Sequence, residues 1–144
     1  MADTFPKASI STEAAHRIIA GAEAKASEMG TPMVIAVVDD GGVLKAFSRM
    51  DGAALLSVQV AQDKAYTAVG FGMPTHGWHD FIKDDAPLAD GAPAGIDRLV
   101  IFGGGYPITI DGQLAGAIGV SGGHYTEDQQ VAEAGLAALG APVS

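Results

Sequence analysis

The chain has 144 residues, a formal net charge of −9, no cysteine, and only five Phe, three Tyr and one Trp within an apolar share of 48%. That length fits a single domain with one core, residues 1–144. The acidic balance argues against nucleic acid and anionic membrane as partners, since both need a basic footprint, and the missing cysteines exclude disulfides, thiolate metal sites and a cysteine nucleophile.

Ala and Gly supply much of the apolar share, which points to close-packed backbones and to self-association rather than to a large aromatic core. Met1 to Ser11 contains Asp3, Pro6 and Lys7 but no apolar run of signal-peptide length, and no later segment reaches the ~18 apolar residues of a membrane span. The expectation is a soluble, cytoplasmic protein.

Between Ser11 and Met29, Ala14, Ile18, Ala22, Ala26 and Met29 recur at helical spacing, and Gly30 with Pro32 closes the helix. Met33 to Val38 is a β-branched apolar run, Asp39-Asp40-Gly41-Gly42 is turn chemistry, and Val43 to Met50 resumes as the second strand of a hairpin. A second helix is expected from Ala54 to Val69, with Val58, Ala61, Ala65 and Val69 as its apolar stripe and Lys64 near the stripe's border. Residues 75–95, rich in Asp, Pro and Gly, read as a long looped lid anchored by Trp78 and Phe81. Leu99 to Phe102, Pro107 to Ile110 and Leu114 to Val120 read as strands, the last two joined by an Asp111-Gly112 turn. A final helix runs from Glu127 to Leu139. The fold class is therefore α/β of the α+β kind, a mainly antiparallel sheet flanked by helices.

The run Gly116 to Asp128 carries the most chemistry. A buried strand breaks into Ser121-Gly122-Gly123-His124, and Thr126 with Gln129 has capping-box spacing, so first-turn amides point back at the glycines and could receive an anion. His124 near Asp128 is either an acid/base pair or a helix cap. Arg49, Asp51 and Lys64 form either a salt-bridge network or a clamp for a ligand carboxylate. His76 and His79 meet only if their segment turns helically, and two histidines fall short of a closed zinc site. His16 projects away from the centre of the first helix's stripe. Gly103-Gly104-Gly105 lacks the lysine and hydroxyl of a phosphate loop, and Gly119-x-Ser121-x-Gly123 lacks the parallel-sheet context of a nucleophile elbow.

Taken in order, Ala36-Val37-Val38-Asp39 with Gly41-Gly42, Arg49-Met50-Asp51-Gly52-Ala53, Lys64-Ala65-Tyr66-Thr67-Ala68, Gly104-Gly105-Tyr106-Pro107-Ile108 and Gly116 to Gly123 with Asp128 resemble the GlcG/HbpS family. That family includes the C-terminal domain of PduO-type proteins. The resemblance implies a profilin-like fold, homo-oligomers from dimer to octamer, and binding of heme or a related tetrapyrrole. For such a ligand, His124, Arg49, Lys64, Ser121, Gly122 and Gly123 are the candidate contacts, with His16, His76 and His79 as further axial donors; the resemblance transfers no single axial residue. Two other classes stand beside it. One is an enzyme acting on a small carboxylate or carbonyl compound, with His124 and Asp128 as catalytic candidates. The other is an interaction module whose pocket is vestigial.

Overall fold

A computed structural model describes residues 2–143. Its elements are α1 (Thr12–Met29), β1 (Val34–Asp39), β2 (Leu44–Arg49), α2 (Leu55–Phe71), α3 (His76–Ile82), α4 (Ala86–Gly95), β3 (Gly105–Ile110), β4 (Gln113–Ser121) and α5 (Tyr125–Leu139). The strands form one antiparallel sheet in the order β2-β1-β4-β3.

The expected first helix is in place. The Ser11 hydroxyl caps it by accepting the Ala14 N–H at 3.1 Å, and Gly30 closes it in the left-handed region at φ 71. Strand alternation then decides the layers. Ile35 and Val37 of β1 join Ile118 and Val120 of β4 in the core beneath α1 and α5, while Val34, Ala36, Val38 and Ala117 face α2. Both faces of the sheet are covered, which is why β1 and the end of β4 read as continuous apolar runs.

The layers are close because the residues between them are small. Gly105, Gly119 and Ala36 form one row across β3, β4 and β1. A Cβ on Gly119 would overlap the Ala61 carbonyl of α2, and one on Gly105 would lie 2.5 Å from the Lys64 carbonyl. On the other face, a Cβ on Gly21 of α1 would sit 2.6 Å from Ala138 Cβ of α5. All five phenylalanines are exposed, and Tyr106 and Trp78 are the buried aromatics, so the core is aliphatic as the composition suggested.

Two expectations are corrected. Residues 75–95 are not a looped lid: Asp85 caps α4 by accepting the Leu88 N–H, Pro87 occupies its first turn, and Trp78, Ile82 and Ala92 bury the inner sides of α3 and α4. Leu99 to Phe102 pairs with no strand; its Val100 N–H is satisfied instead by the Thr67 hydroxyl of α2 at 3.0 Å. Among the described residues, no helix is long and apolar enough to cross a membrane.

Gly119→Ala is expected to cost about 3 kcal/mol, the upper end for an overpacked core. Gly91→Ala in α4, where a Cβ meets nothing within 4 Å, should instead add up to ~1 kcal/mol through helix propensity. Urea-unfolding midpoints of the two variants would differ in sign from wild type, and equal midpoints would refute the packing argument.

Candidate functional site

The glycine corner is organised by an ion pair between elements far apart in sequence. Lys64 lies on the sheet side of α2 and is 0% exposed. Its ammonium donates to the Val120 carbonyl and to Asp128 Oδ2, both at 2.8 Å, while Asp128 Oδ1 accepts the Gly123 N–H at 3.0 Å. The Phe102 ring centre lies 5.1 Å from Lys64 Nζ, within reach of a cation–π contact. Gly104 passes over this pair at φ 125, and a Cβ there would lie 2.7 Å from Nζ. Burial pushes the Lys64 ammonium down and the Asp128 carboxyl up from their ordinary values, and in each case the partner's charge opposes the shift.

These contacts revise several sequence expectations. Asp128 is committed to Lys64 and Gly123, so it does not orient His124, and the acid/base pair is not formed. His124 is itself the N-cap of α5, two residues earlier than expected. Its Nδ1 accepts the Thr126 N–H at 3.3 Å, and its own N–H donates to Glu127 Oε1 at 3.0 Å. The Gly123 and His124 amides are thus taken by the chain's own carboxylates and are closed to an incoming anion. Lys64 is likewise no clamp. Ser121 is buried with its hydroxyl donating to Ser57 Oγ at 3.2 Å, and Gly122 passes so close to the residues just before β1 that a Cβ would lie 2.7 Å from the Pro32 carbonyl.

Arg49 ends β2 opposite Val34, whose other neighbour is Ser121. It is exposed, and among the described residues it pairs with neither Asp51 nor Lys64. His16 stands on the exposed side of α1.

The helical turn required for His76 and His79 is present. Both line an open cleft of about 440 Å³ with Asp80, Ile101, Phe102 and Tyr125. The His76 ring lies edge-on to Tyr106 at 5.5 Å, and the Tyr106 hydroxyl donates to Glu133 Oε2 at 2.5 Å. Burial and that carboxylate push the Tyr106 phenol well above its usual range, so it remains a donor. His124 adjoins the cleft through Tyr125, with ring centres 4.2 Å apart. Lys83 Nζ, 3.1 Å from Asp80 Oδ1, supplies a cation at the rim.

Sequence reading missed Phe102, Tyr125, Tyr106 and Glu133 as parts of one site. An aromatic directly before three glycines, and another directly after the glycine corner, were the available signals. Among the described residues, no group of three His, Asp or Glu side chains could hold a metal ion. A larger depression of about 660 Å³, between the start of α1 and the β3–β4 turn, contains no histidine.

Residues 10–137 match the family model described as haem degrading protein HbpS-like. The chain belongs to the HbpS-like family. Among HbpS-like relatives, it is 40% identical over 129 residues to an uncharacterized 15.0 kDa protein in the dhaT-dhaS intergenic region of Citrobacter freundii, covering 90% of this chain and 91% of that one. It is 38% identical over 115 residues to protein GlcG of Escherichia coli K12, covering 80% and 83%. The solved PduOC:heme complex superposes with a TM-score of 0.86 at 31% identity, covering 94% of this chain and 98% of that one. The resemblance read from the ordered motifs is thereby established, and so is the α+β class.

Lys64→Met leaves a buried carboxylate without its partner, an expected loss of about 3–5 kcal/mol at neutral pH. Removing the lysine also removes what holds the Asp128 carboxyl down. A carboxyl raised above its unfolded value of 3.8 stabilises the fold below that value and loses this contribution as the pH rises through its folded value. The variant should therefore regain stability as the pH is lowered from about 8 to about 5. Lys64→Met with Asp128→Leu should be more stable than Lys64→Met alone. Thermal melts at both pH values check this; a pH-independent Lys64→Met would show that Asp128 carries no buried charge.

Proposed function

We propose that this HbpS-like chain binds heme or a related tetrapyrrole in the cleft between α3 and the Ile101–Phe102 segment. The observation that carries the reading is the placement of two imidazoles on one side of a short helix against the faces of Ile101, Phe102 and Tyr125. A neutral imidazole is an axial donor for heme iron, and flat apolar walls suit the macrocycle. The cleft's volume of about 440 Å³ lies within the range typical of small-molecule sites, and its openness leaves one ligand edge to solvent. Lys83, paired with Asp80 at the rim, is the cation available to a propionate, whereas Arg49 ends β2 at the far edge of the sheet and does not line this cleft. Bound heme would supply the redox and ligand-exchange chemistry; the residues here hold and orient it. The solved heme complex of the PduOC relative supports this assignment.

The donor set fits through His76 or His79, with His124 next to them. Lys64, Ser121, Gly122 and Gly123, candidate contacts on sequence grounds, act one layer behind by fixing the corner from which Tyr125 projects. An acid/base enzyme built on His124 has lost its orienting carboxylate.

Self-association belongs to the same reading. Leu55 and Leu56 are 84% and 81% exposed at the start of α2, where Ala54 offers no side-chain cap. Adjacent leucines this exposed at a helix start are what a subunit contact covers. Leu55→Glu with Leu56→Glu should lower the solution mass measured by sedimentation, and an unchanged mass would remove these leucines from any contact.

The ligand assignment is tested by absorbance titration with hemin of wild type and of His16→Ala, His76→Ala, His79→Ala and His124→Ala. A saturable Soret shift weakened at least ~tenfold (about 1.4 kcal/mol) in His76→Ala or His79→Ala is the expected result. Loss only in His16→Ala or His124→Ala would move the site, and uptake indifferent to all four would overturn specific binding.

A further inference from the structure

Alpha helix α3 also contributes to a second pocket, separate from the heme cleft and sharing none of its lining residues. It measures about 280 Å³ and is walled by Tyr66, Gly70, Phe71, Trp78, Ile96 and Leu99. Thr67 and Asp97 are the polar residues in an otherwise mostly apolar lining, and the Trp78 indole holds a further polar atom. Trp78 Nε1 is buried and, among the described residues, is the one buried side-chain nitrogen or oxygen without a hydrogen-bond partner. Trp78 as a whole is 6% exposed. A buried indole N–H ordinarily finds an acceptor, and one that does not carries the full cost of its lost hydration.

The wall opposite is held by several tethers. Thr67 Oγ1 donates to the Arg98 carbonyl at 2.8 Å and accepts the Val100 N–H at 3.0 Å. The Arg98 guanidinium lies 4.0 Å over the Tyr66 ring, and its Nε donates to Asp63 Oδ1 at 2.8 Å. These contacts keep Arg98 at φ 66, a left-handed conformation that a long side chain disfavours. The chain thus sustains local backbone strain in order to fix the segment that bears Ile96 and Leu99. Strain of this kind collects where a ligand clamp must be rigid.

We infer that this pocket binds a small, mostly apolar molecule carrying one neutral hydrogen-bond acceptor, of the class of aryl or alkyl ketones, whose carbonyl receives the Trp78 N–H. Asp97 also lines the pocket and disfavours an anionic acceptor. Because Nε1 is covered, a neighbour must move for the carbonyl to reach it. Phe71, 60% exposed with its ring 5.1 Å from the indole, is the most exposed large apolar side chain of the lining and the one we assign to that movement.

The chain contains one tryptophan, so ¹⁵N-correlated NMR shows one indole N–H signal and reads this site alone. Acetophenone is the probe, and ethylbenzene, which lacks the acceptor, is its control. The expected result is a saturable downfield movement of the indole signal with acetophenone, and binding at least ~tenfold weaker with ethylbenzene. Gly70→Leu places a side chain at a lining position where a Cβ meets nothing within 4 Å; with its melting temperature confirmed against wild type, it should abolish the movement. Equal responses to the two probes, a response retained in Gly70→Leu, or an indole signal that moves with protein concentration rather than with ligand would each overturn the inference. The last would mean that a second copy of the chain supplies the acceptor.

Discussion

The buried pair between Lys64 and Asp128 is the constraint on which the arrangement of this molecule turns. It joins residues 64 positions apart, on α2 and α5, and adds the last carbonyls of β4 through Val120 and the glycine corner through Gly123. Desolvating two charges offsets most of their attraction, so the pair contributes little net stability, and what it supplies is geometry. Lysine within the sheet-facing side of α2 fixes where that helix lies along β4. It also dictates glycine at position 104, because nothing larger can pass over the ammonium. The aromatic just before that glycine run, Phe102, both lies 5.1 Å from the ammonium and lines the cleft.

The same pair bears on why the conspicuous corner offers an anion no free amide at Gly123. A strand running into glycines and a capped helix offers free amides, but here Asp128 and Glu127 occupy those of Gly123 and His124. An anion arriving at the corner would have to displace two carboxylates held by several bonds. The proposed ligand site lies outward of the corner, in the cleft lined by His76, His79, Phe102 and Tyr125.

Much of the fold was legible because its signals are local. Ser11 and Gly30 bracket α1 at the expected positions, the Asp39–Gly42 and Asp111-Gly112 turns divide strands whose apolar runs are unambiguous, and the ordered motifs identified the family. What was misread depends on distant partners. Lys64 looked marginal to its helical stripe because periodicity cannot show that a carboxylate 64 residues later will neutralise it inside the core. Motif spacing points to Thr126 as the cap, whereas His124 two residues earlier caps the helix by accepting the Thr126 N–H. Residues 75–95 hide two helices because Pro, Gly and Asp dominate their composition; Asp85 and Pro87 are helix-start signals, and the few apolar residues that bury do so against elements elsewhere in the chain.

An aliphatic core with glycine and alanine at its closest approaches leaves no interior room for a flat or bulky ligand. Any binding surface must then be built at the periphery, and the aromatics are there: Phe71, Phe81, Phe102 and Tyr125 are all exposed around α3. This seven-residue helix is attached firmly at its start, where the Thr75 N–H donates to the Gly105 carbonyl at 2.9 Å and the Gly105 N–H returns to the Thr75 hydroxyl at 2.9 Å. His76, His79 and Asp80 look to the cleft, and Trp78 looks to the second pocket. Both sets of side chains thus stand on one short helix, buried through Trp78 and Ile82. Both proposed sites therefore draw on the segment inserted between α2 and β3, and the sheet serves as the frame against which that segment is set.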